Sequence, residues 1–309
     1  MRTPHRPRLA ASLVSFVLVA ALTACGGGGT SSSSGRSSSS DTPRGPGTAE
    51  LLPADTKEFM ESSLRLFSSG DPAGESARSQ WLALGDREAS FLVSLLWAAL
   101  LRSQSLAAGD LVVRARHELA LIGGPAVTLM GEMLAGGEAY SFRDDIADKT
   151  RTVRIDDSAR REAAEVLALV GPTAVPTLEW ALGSSQTKSG RKFALTALGN
   201  MGARGGDDAT RAILSAVDDA DWVLRVETVH ALRSGDDAAG RVALERALSD
   251  PESLVREKAA DSLAARVSIE SVPALRTAED VARNDGRIGE ARRFGRAVLI
   301  IERADEVRR

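Results

Sequence analysis

Aromatic side chains are scarce in this chain: they make up 4% of its 309 residues, and only one of them is a Tyr. Without large rings, a core has to be assembled from Ala, Leu and Val. The shortage of aromatic and β-branched residues relative to Ala and Leu argues against an all-β sandwich or barrel. Cysteine occurs once, which excludes an internal disulfide and any multi-cysteine metal site. Histidine is nearly absent too, with three in the whole chain. Neither sign of charge dominates: 39 basic side chains stand against 42 acidic ones, a formal net of −3. A whole-chain basic footprint is therefore missing, and no nucleic-acid partner is expected. The length corresponds to one or two domains of about 100–200 residues each.

What is present begins with an address. Arg2, Arg6 and Arg8 form a positive n-region, and from Leu9 to Ala24 run 16 uncharged, mostly apolar residues. A transmembrane helix usually takes about 18–20 such residues, so the run fits a secretory h-region better. It closes on Leu22-Thr23-Ala24-Cys25. These residues resemble the bacterial lipoprotein signal peptide, whose lipobox is a branched apolar residue, two small residues and Cys. The resemblance implies cleavage after Ala24, a diacylglyceryl group on the Cys25 thiol and acylation of the new N-terminus. Two or three acyl chains anchor stably where one of myristoyl size holds only marginally. The implied location is the bacterial cell envelope, lipid-anchored and facing outside the cytoplasm. Pro7 separates Arg6 from Arg8, so the general secretory route is expected rather than the twin-arginine one. Gly26 stands where some enteric bacteria place an inner-membrane retention Asp, which points to the outer membrane in a diderm cell.

Residues 26–49 carry seven Gly and eight Ser among 24 positions, the composition of a flexible tether. Its root-mean-square span is about 25–30 Å. Removing residues 1–24 leaves 36 basic and 42 acidic side chains, a net of −6. Membrane attachment is thus expected to rest on the lipid at Cys25 rather than on the overall charge.

From about residue 50 to 309 helical periodicity dominates, and no convincing strand run appears. The body repeats itself. SARREAAEVLALVG from Ser158, SGRKFALTALGNMG from Ser189, VLRVETVHALRSG from Val223 and LVREKAADSLAAR from Leu254 share one register. Arg160, Arg191, Arg225 and Arg256 fall 31, 34 and 31 residues apart, as do Leu167, Leu198, Leu232 and Leu263. Ala163, Ala194, Thr228 and Ala259 keep the same intervals. Each unit is predicted to hold two helices divided by breakers such as Gly171-Pro172 or Gly202. Pro176 and Pro273 suit a first helical turn, and Asp157, Asp221 and Asp250 read as caps in the links. Small pairs such as Ala163-Ala164 and Ala259-Ala260 let helices approach closely.

The pattern resembles the short HEAT-like repeats also seen in phycocyanobilin lyases, most clearly over 159–280. The resemblance implies an all-α fold, a right-handed α-solenoid of six or seven two-helix units whose atypical ends act as caps. Upstream, the unit around Ala115 has the Gly-Pro turn but Val112 where Arg is expected. The related deoxyhypusine hydroxylases bind iron through several His-Glu pairs. Here only His117-Glu118 forms one, and with His5 lost alongside the signal peptide, His117 and His230 cannot supply that site.

The Arg column is expected to pair with acids across adjacent repeats and order the stack. One insertion, 135–158, lengthens the Gly123–Gly171 interval to 48 residues against 31 for Gly171–Gly202. It holds Tyr140, Phe142 and Arg143, and a long loop on a rigid scaffold is a natural place for binding residues. Trp222 is a further contact candidate, or a staple for its own helix start; Trp81, Trp97 and Trp180 are expected in the core. No catalytic residue, metal ligand or cofactor is expected. The functional expectation is a non-enzymatic scaffold with an unidentified protein partner. The alternatives are a lyase-type enzyme or maturation factor related to the bilin lyases, and an envelope structural protein.

Overall fold

A computed structural model describes residues 58, 62, 63, 65, 67, 73–105, 109–144, 147–184 and 187–309. The signal peptide, Cys25 and the tether lie outside the described residues. Among the described residues the fold is all-α apart from one hairpin. In order come α1 (Ala73–Leu84), α2 (Asp86–Ser105), α3 (Gly109–Ile122), α4 (Gly124–Ala135), β1 (Ala139–Asp144), β2 (Lys149–Arg154), α5 (Asp157–Val170), α6 (Val175–Ser184) and α7 (Lys188–Met201). Then follow α8 (Gly206–Leu214), α9 (Trp222–Ala231), α10 (Ala238–Ala247), α11 (Ser253–Arg266), α12 (Val272–Asn284) and α13 (Ile288–Arg308). The chain divides into two compact units, Met1–Leu129 with Gly137–Glu162, and Met130–Gly136 with Ala163–Arg309.

In the first unit α2 packs between α1 and α3. Its core holds Trp81 and Trp97, both fully buried, among Leu92, Leu95, Leu96, Leu100 and Leu119. The Trp81 indole N–H is satisfied by the Glu88 carbonyl at 2.6 Å, as a buried ring donor requires. Two arginines tie the unit across long sequence separations. Arg78 donates to Glu118 at 2.6 Å, and Arg116 grips the buried Glu162 with both Nε (2.6 Å) and Nη2 (2.8 Å). The arginine missing at Val112 therefore reappears one helical turn later, at Arg116.

The second unit is an α-solenoid of stacked helix pairs. Helices α7, α9, α11 and α13 lie side by side in one row; α6, α8 and α10 form the other, and α12 packs on α13. Ala163, Ala194, Thr228 and Ala259, the repeated small position, are all fully buried. A Cβ placed on Gly199 would sit 2.7 Å from the Ala231 Cα, so α7 and α9 touch backbone to backbone there. This contact answers the shortage of rings: small residues bring helices together until little space is left to fill. Thr228 fills its small site without an orphaned hydroxyl, because Oγ1 donates to the Leu224 carbonyl at 2.8 Å.

Between repeats the chain ends one helix and starts the next with local chemistry. Asp221 caps α9 by accepting from the Val223 N–H at 2.9 Å, and Thr187 caps α7 through the Gly190 N–H at 3.0 Å. For α5 the capping carboxylate is Asp156, which accepts from the Ala159 N–H at 3.0 Å; Asp157 is already the first helical residue. Past α5 and α7 the backbone turns through a left-handed conformation at Gly171 (φ 83°) and Gly202 (φ 54°), whereas past α9 Gly235 keeps a negative φ of −84°. At the same register α11 has Val267, with φ 53°. A β-branched residue is poorly suited to positive φ and costs of order 1–3 kcal/mol there.

Val267→Gly is accordingly expected to stabilise the protein by about 1 kcal/mol, net of the valine contacts it gives up. Thermal unfolding checks this, and an unchanged or lowered Tm would show that the valine contacts outweigh the strain.

Candidate functional site

The insertion folds as an antiparallel hairpin, with Ala139 opposite Arg154 and Asp144 opposite Lys149. No strand is expected here from the sequence. The period-two signal is present, since Tyr140, Phe142 and Asp144 point one way while Ser141 and Arg143 are exposed. An acidic residue on the inward face hides it. Asp144 and Arg151 are both fully buried and pair with each other, and Asp144 Oδ1 also accepts from the Ala147 N–H at 3.0 Å. A buried carboxylate is tolerated because both of its oxygens find donors. On the exposed face, Ser141 and Thr152 hydroxyls meet across the strands at 2.9 Å.

The hairpin is seated on α2 by its rings. Phe142 is 5% exposed and meets Phe91 edge-on at a centroid distance of 6.4 Å, while Tyr140 stacks on Phe142 at 6.0 Å. Tyr140 Oη lies 3.0 Å from Ser94 Oγ. The Ser94 proton goes to the Ser90 carbonyl at 2.9 Å, so the tyrosine donates. Phe142 thus holds the hairpin in place and presents no surface. Tyr140 is half-buried, and Arg143 is exposed and paired with Asp148.

In the second unit Trp222 begins α9 directly after the Asp221 cap, with its ring 43% exposed. The Lys188 ammonium, 2.6 Å away, holds the Asp221 carboxyl below the usual aspartate range. Trp180 departs from the expected core placement and is 49% exposed on α6. Its helix buries Val175, Leu178, Ala181 and Leu182, a 3.6-residue stripe that skips position 180. The same periodicity, applied strictly, places Trp180 outside. Val242 on α10 and Val281 on α12 are exposed as well.

His117 and His230 are both exposed on helices. Glu118 is committed to Arg78, and Glu227 to Lys192 at 3.4 Å. Among the described residues, no group of three or more His, Cys, Asp or Glu side chains is placed to hold a metal ion.

Three of the four column arginines reach forward to the next repeat. Arg191 pairs with Asp219, Arg225 clasps Asp250 through Nε and Nη2 (2.8 and 2.9 Å), and Arg256 binds Glu290 through Nε at 2.8 Å. Arg160 instead donates to the Gly137 carbonyl at 3.0 Å. The Arg256 hydrogen bonds outweigh burial and hold the Glu290 carboxyl below the usual glutamate range. Burial pushes Asp250 upward, but Arg225 and the Glu252 N–H prevail, so it too is lowered.

Residues 154–233 match the family model described as HEAT repeats. That match suggests a scaffold for protein interaction. No curated protein matches the chain. Among solved structures, one engineered protein is similar at 18% identity and a TM-score of 0.38, over 70% of this chain and 96% of its own. Human deoxyhypusine hydroxylase is similar at 16% identity and a TM-score of 0.36, over 96% of this chain and all of its own (100%). A second engineered protein is similar at 20% identity and a TM-score of 0.35, over 82% of this chain and 66% of its own.

Phe142→Ala is expected to destabilise the protein by about 3–5 kcal/mol in denaturant unfolding, whereas exposed Arg143→Ala changes stability by no more than about 0.5 kcal/mol. Equal effects would mean that the ring does not carry the seat. The Glu290 clasp adds a pH dependence. A carboxylate lowered by folding contributes stability above its ordinary value of 4.5 and loses it as the pH falls through the folded value. Glu290→Gln is therefore expected to be less stable at neutral pH and to lose stability less steeply below about 4.5. Parallel curves for the two proteins in an acid titration of stability would contradict this.

Proposed function

We propose that this protein is a lipid-anchored, extracytoplasmic scaffold that holds a protein partner at the bacterial cell envelope and performs no chemistry of its own. The observation that carries the anchoring is Leu22-Thr23-Ala24-Cys25 at the end of a 16-residue apolar run, holding the chain's one Cys. Among the described residues, no single helix is long and apolar enough to cross a membrane. Acyl chains on Cys25 supply the attachment in this reading.

The scaffold reading is supported by the repeat architecture. Stacked helix pairs present an extended surface in which no residue has to be catalytic, and loops carried on them vary at little cost to the stack. The hairpin is such a loop. It is rigidly seated from beneath by Phe142 and Tyr140, and it offers Arg143, Ser141 and Thr152 outward. Trp222 and Trp180 are the aromatic candidates for a contact surface on the second unit, since half-exposed Trp is a residue type that anchors interfaces.

Two measurements test the two halves separately. Cys25→Ser is expected to move the protein out of the membrane fraction, and unchanged membrane retention would end the lipid-anchor reading. For the scaffold, residues 139–154 are replaced by a short Gly-Ser link and partners are captured by crosslinking in intact cells. The helical circular dichroism should persist while the partner band disappears. A band that survives would move the contact surface to the helices.

A further inference from the structure

Helix α13 carries an outer strip that the fold does not use. Its inner face buries Ala291, Phe294, Ala297, Val298 and Ile301 against the rest of the second unit. On the opposite side Arg292, Arg296 and Arg303 stand in one line, since steps of four and seven residues return to nearly the same angle on a helix. All three are exposed. Arg293, one position away, is held by Glu257 (3.3 Å) and Asp261 (3.1 Å), but among the described residues no carboxylate pairs with the three arginines of the line. Aliphatic side chains flank the line on both sides: Ile288, Leu299 (67% exposed), Ile300 and Val307 (84% exposed). Three acids border the strip: Glu306 on the same helix, Asp261, which shares a surface recess with Arg292 and Arg296, and Glu279, which lies against Gly295. Asp261 and Glu279 are already paired with Arg293 and Arg283. From Arg292 to Arg303 the ridge is about 17 Å long.

We infer that this strip is a docking surface for an anionic phospholipid bilayer, and that it sets which side of the second unit faces the membrane. The inference rests on the anchoring proposed above, in which a segment with the composition of residues 26–49 is expected to tether the protein to a membrane. Charge complementarity chooses the occupant. A second copy laid antiparallel across the same strip would set Arg296 against Arg303 and Arg292 against the aliphatic end, so like charges would meet. A phosphate layer supplies an anion to each guanidinium, while Leu299, Ile300 and Val307 enter the headgroup boundary beside them. The mature chain has a net charge of −6, so an anionic surface repels it on average and favours approach by this strip.

The test uses the mature protein reconstituted in vesicles and labelled with a polarity-sensitive fluorophore at Leu299→Cys. Cys25, the one native Cys, is blocked by its lipid in this reading. A control label sits at Thr277→Cys on α12. In vesicles of phosphatidylcholine with about one-third phosphatidylglycerol, the Leu299 probe should shift to the blue relative to pure phosphatidylcholine, and the Thr277 probe should not. High salt, or the triple variant Arg292→Glu, Arg296→Glu and Arg303→Glu, should abolish the shift. No shift, or one that survives charge reversal, overturns the docking. Shielding of Leu299 that appears in native membranes but not in pure lipid assigns the strip to a protein instead and also overturns it.

A protein found by mass to lack the lipid refutes the anchoring but not the strip. Co-sedimentation of that protein with the same anionic vesicles at low ionic strength then decides. Charge reversal is expected to lower the bound fraction at least about tenfold, and an unchanged bound fraction counts against the docking.

Discussion

The guanidinium that reaches from one repeat to an acid of the next is the interaction on which the second unit depends. Arg191, Arg225 and Arg256 each sit near the start of a helix and each close on a carboxylate contributed 25–34 residues later. The acids are not idle before the arginine arrives. Asp219 and Asp250 also accept backbone N–H groups in their own links, at 2.9 and 2.8 Å. One carboxylate therefore shapes a turn and positions the neighbouring repeat together. The clasps are largely shielded from water, and Arg256 and Glu290 retain 12% and 9% exposure. In that setting an ion pair fixes geometry more than it adds net stability, since desolvation offsets much of its Coulomb attraction.

The first unit reaches the same end with different spacing. Arg78 and Arg116 find Glu118 and Glu162 across 40 and 46 residues, and Gln104 adds a third donor to Glu162 at 3.1 Å. Here the core is built around two tryptophans rather than alanine columns. The hairpin then lies on α2 through rings, while its own interior is held by one buried pair, Asp144 with Arg151. Polar and apolar contacts thus divide the work, the rings seating the hairpin and the ion pair keeping its two strands in register.

Much of the helical architecture was legible in the sequence, because three positions repeated in one register: Arg, a small residue and Leu. Periodicity of this kind reports a shared packing environment, and the small column proved to be the line along which helices touch. The arginine pairing was legible too, since a cation at the start of each repeat and acids in each link leave few other partners. The rest is hidden in the sequence for physical reasons. The hairpin strands were masked by Asp144 and Arg151, two charges at inward positions where alternation is normally read from apolar residues. Asp156 and its neighbour Asp157 are equally suited to capping by residue type, and only the register of the first turn decides between them. Residue type places Trp180 in the core, against its own helical phase. The lipid site and tether belong to a segment outside the described residues, where only the chemistry of the lipobox speaks.

The repeat intervals of 31, 34 and 31 residues have a hereditary consequence. Every clasp described joins neighbours alone, and among the described residues none commits one repeat to another several units away. Duplicating or losing a single repeat would leave each remaining junction chemically intact, with an arginine behind and an acid ahead. Such a gene can change length in whole steps without waiting for compensating substitutions elsewhere. The reach of the protein becomes a trait that selection can adjust separately from the stability of its parts.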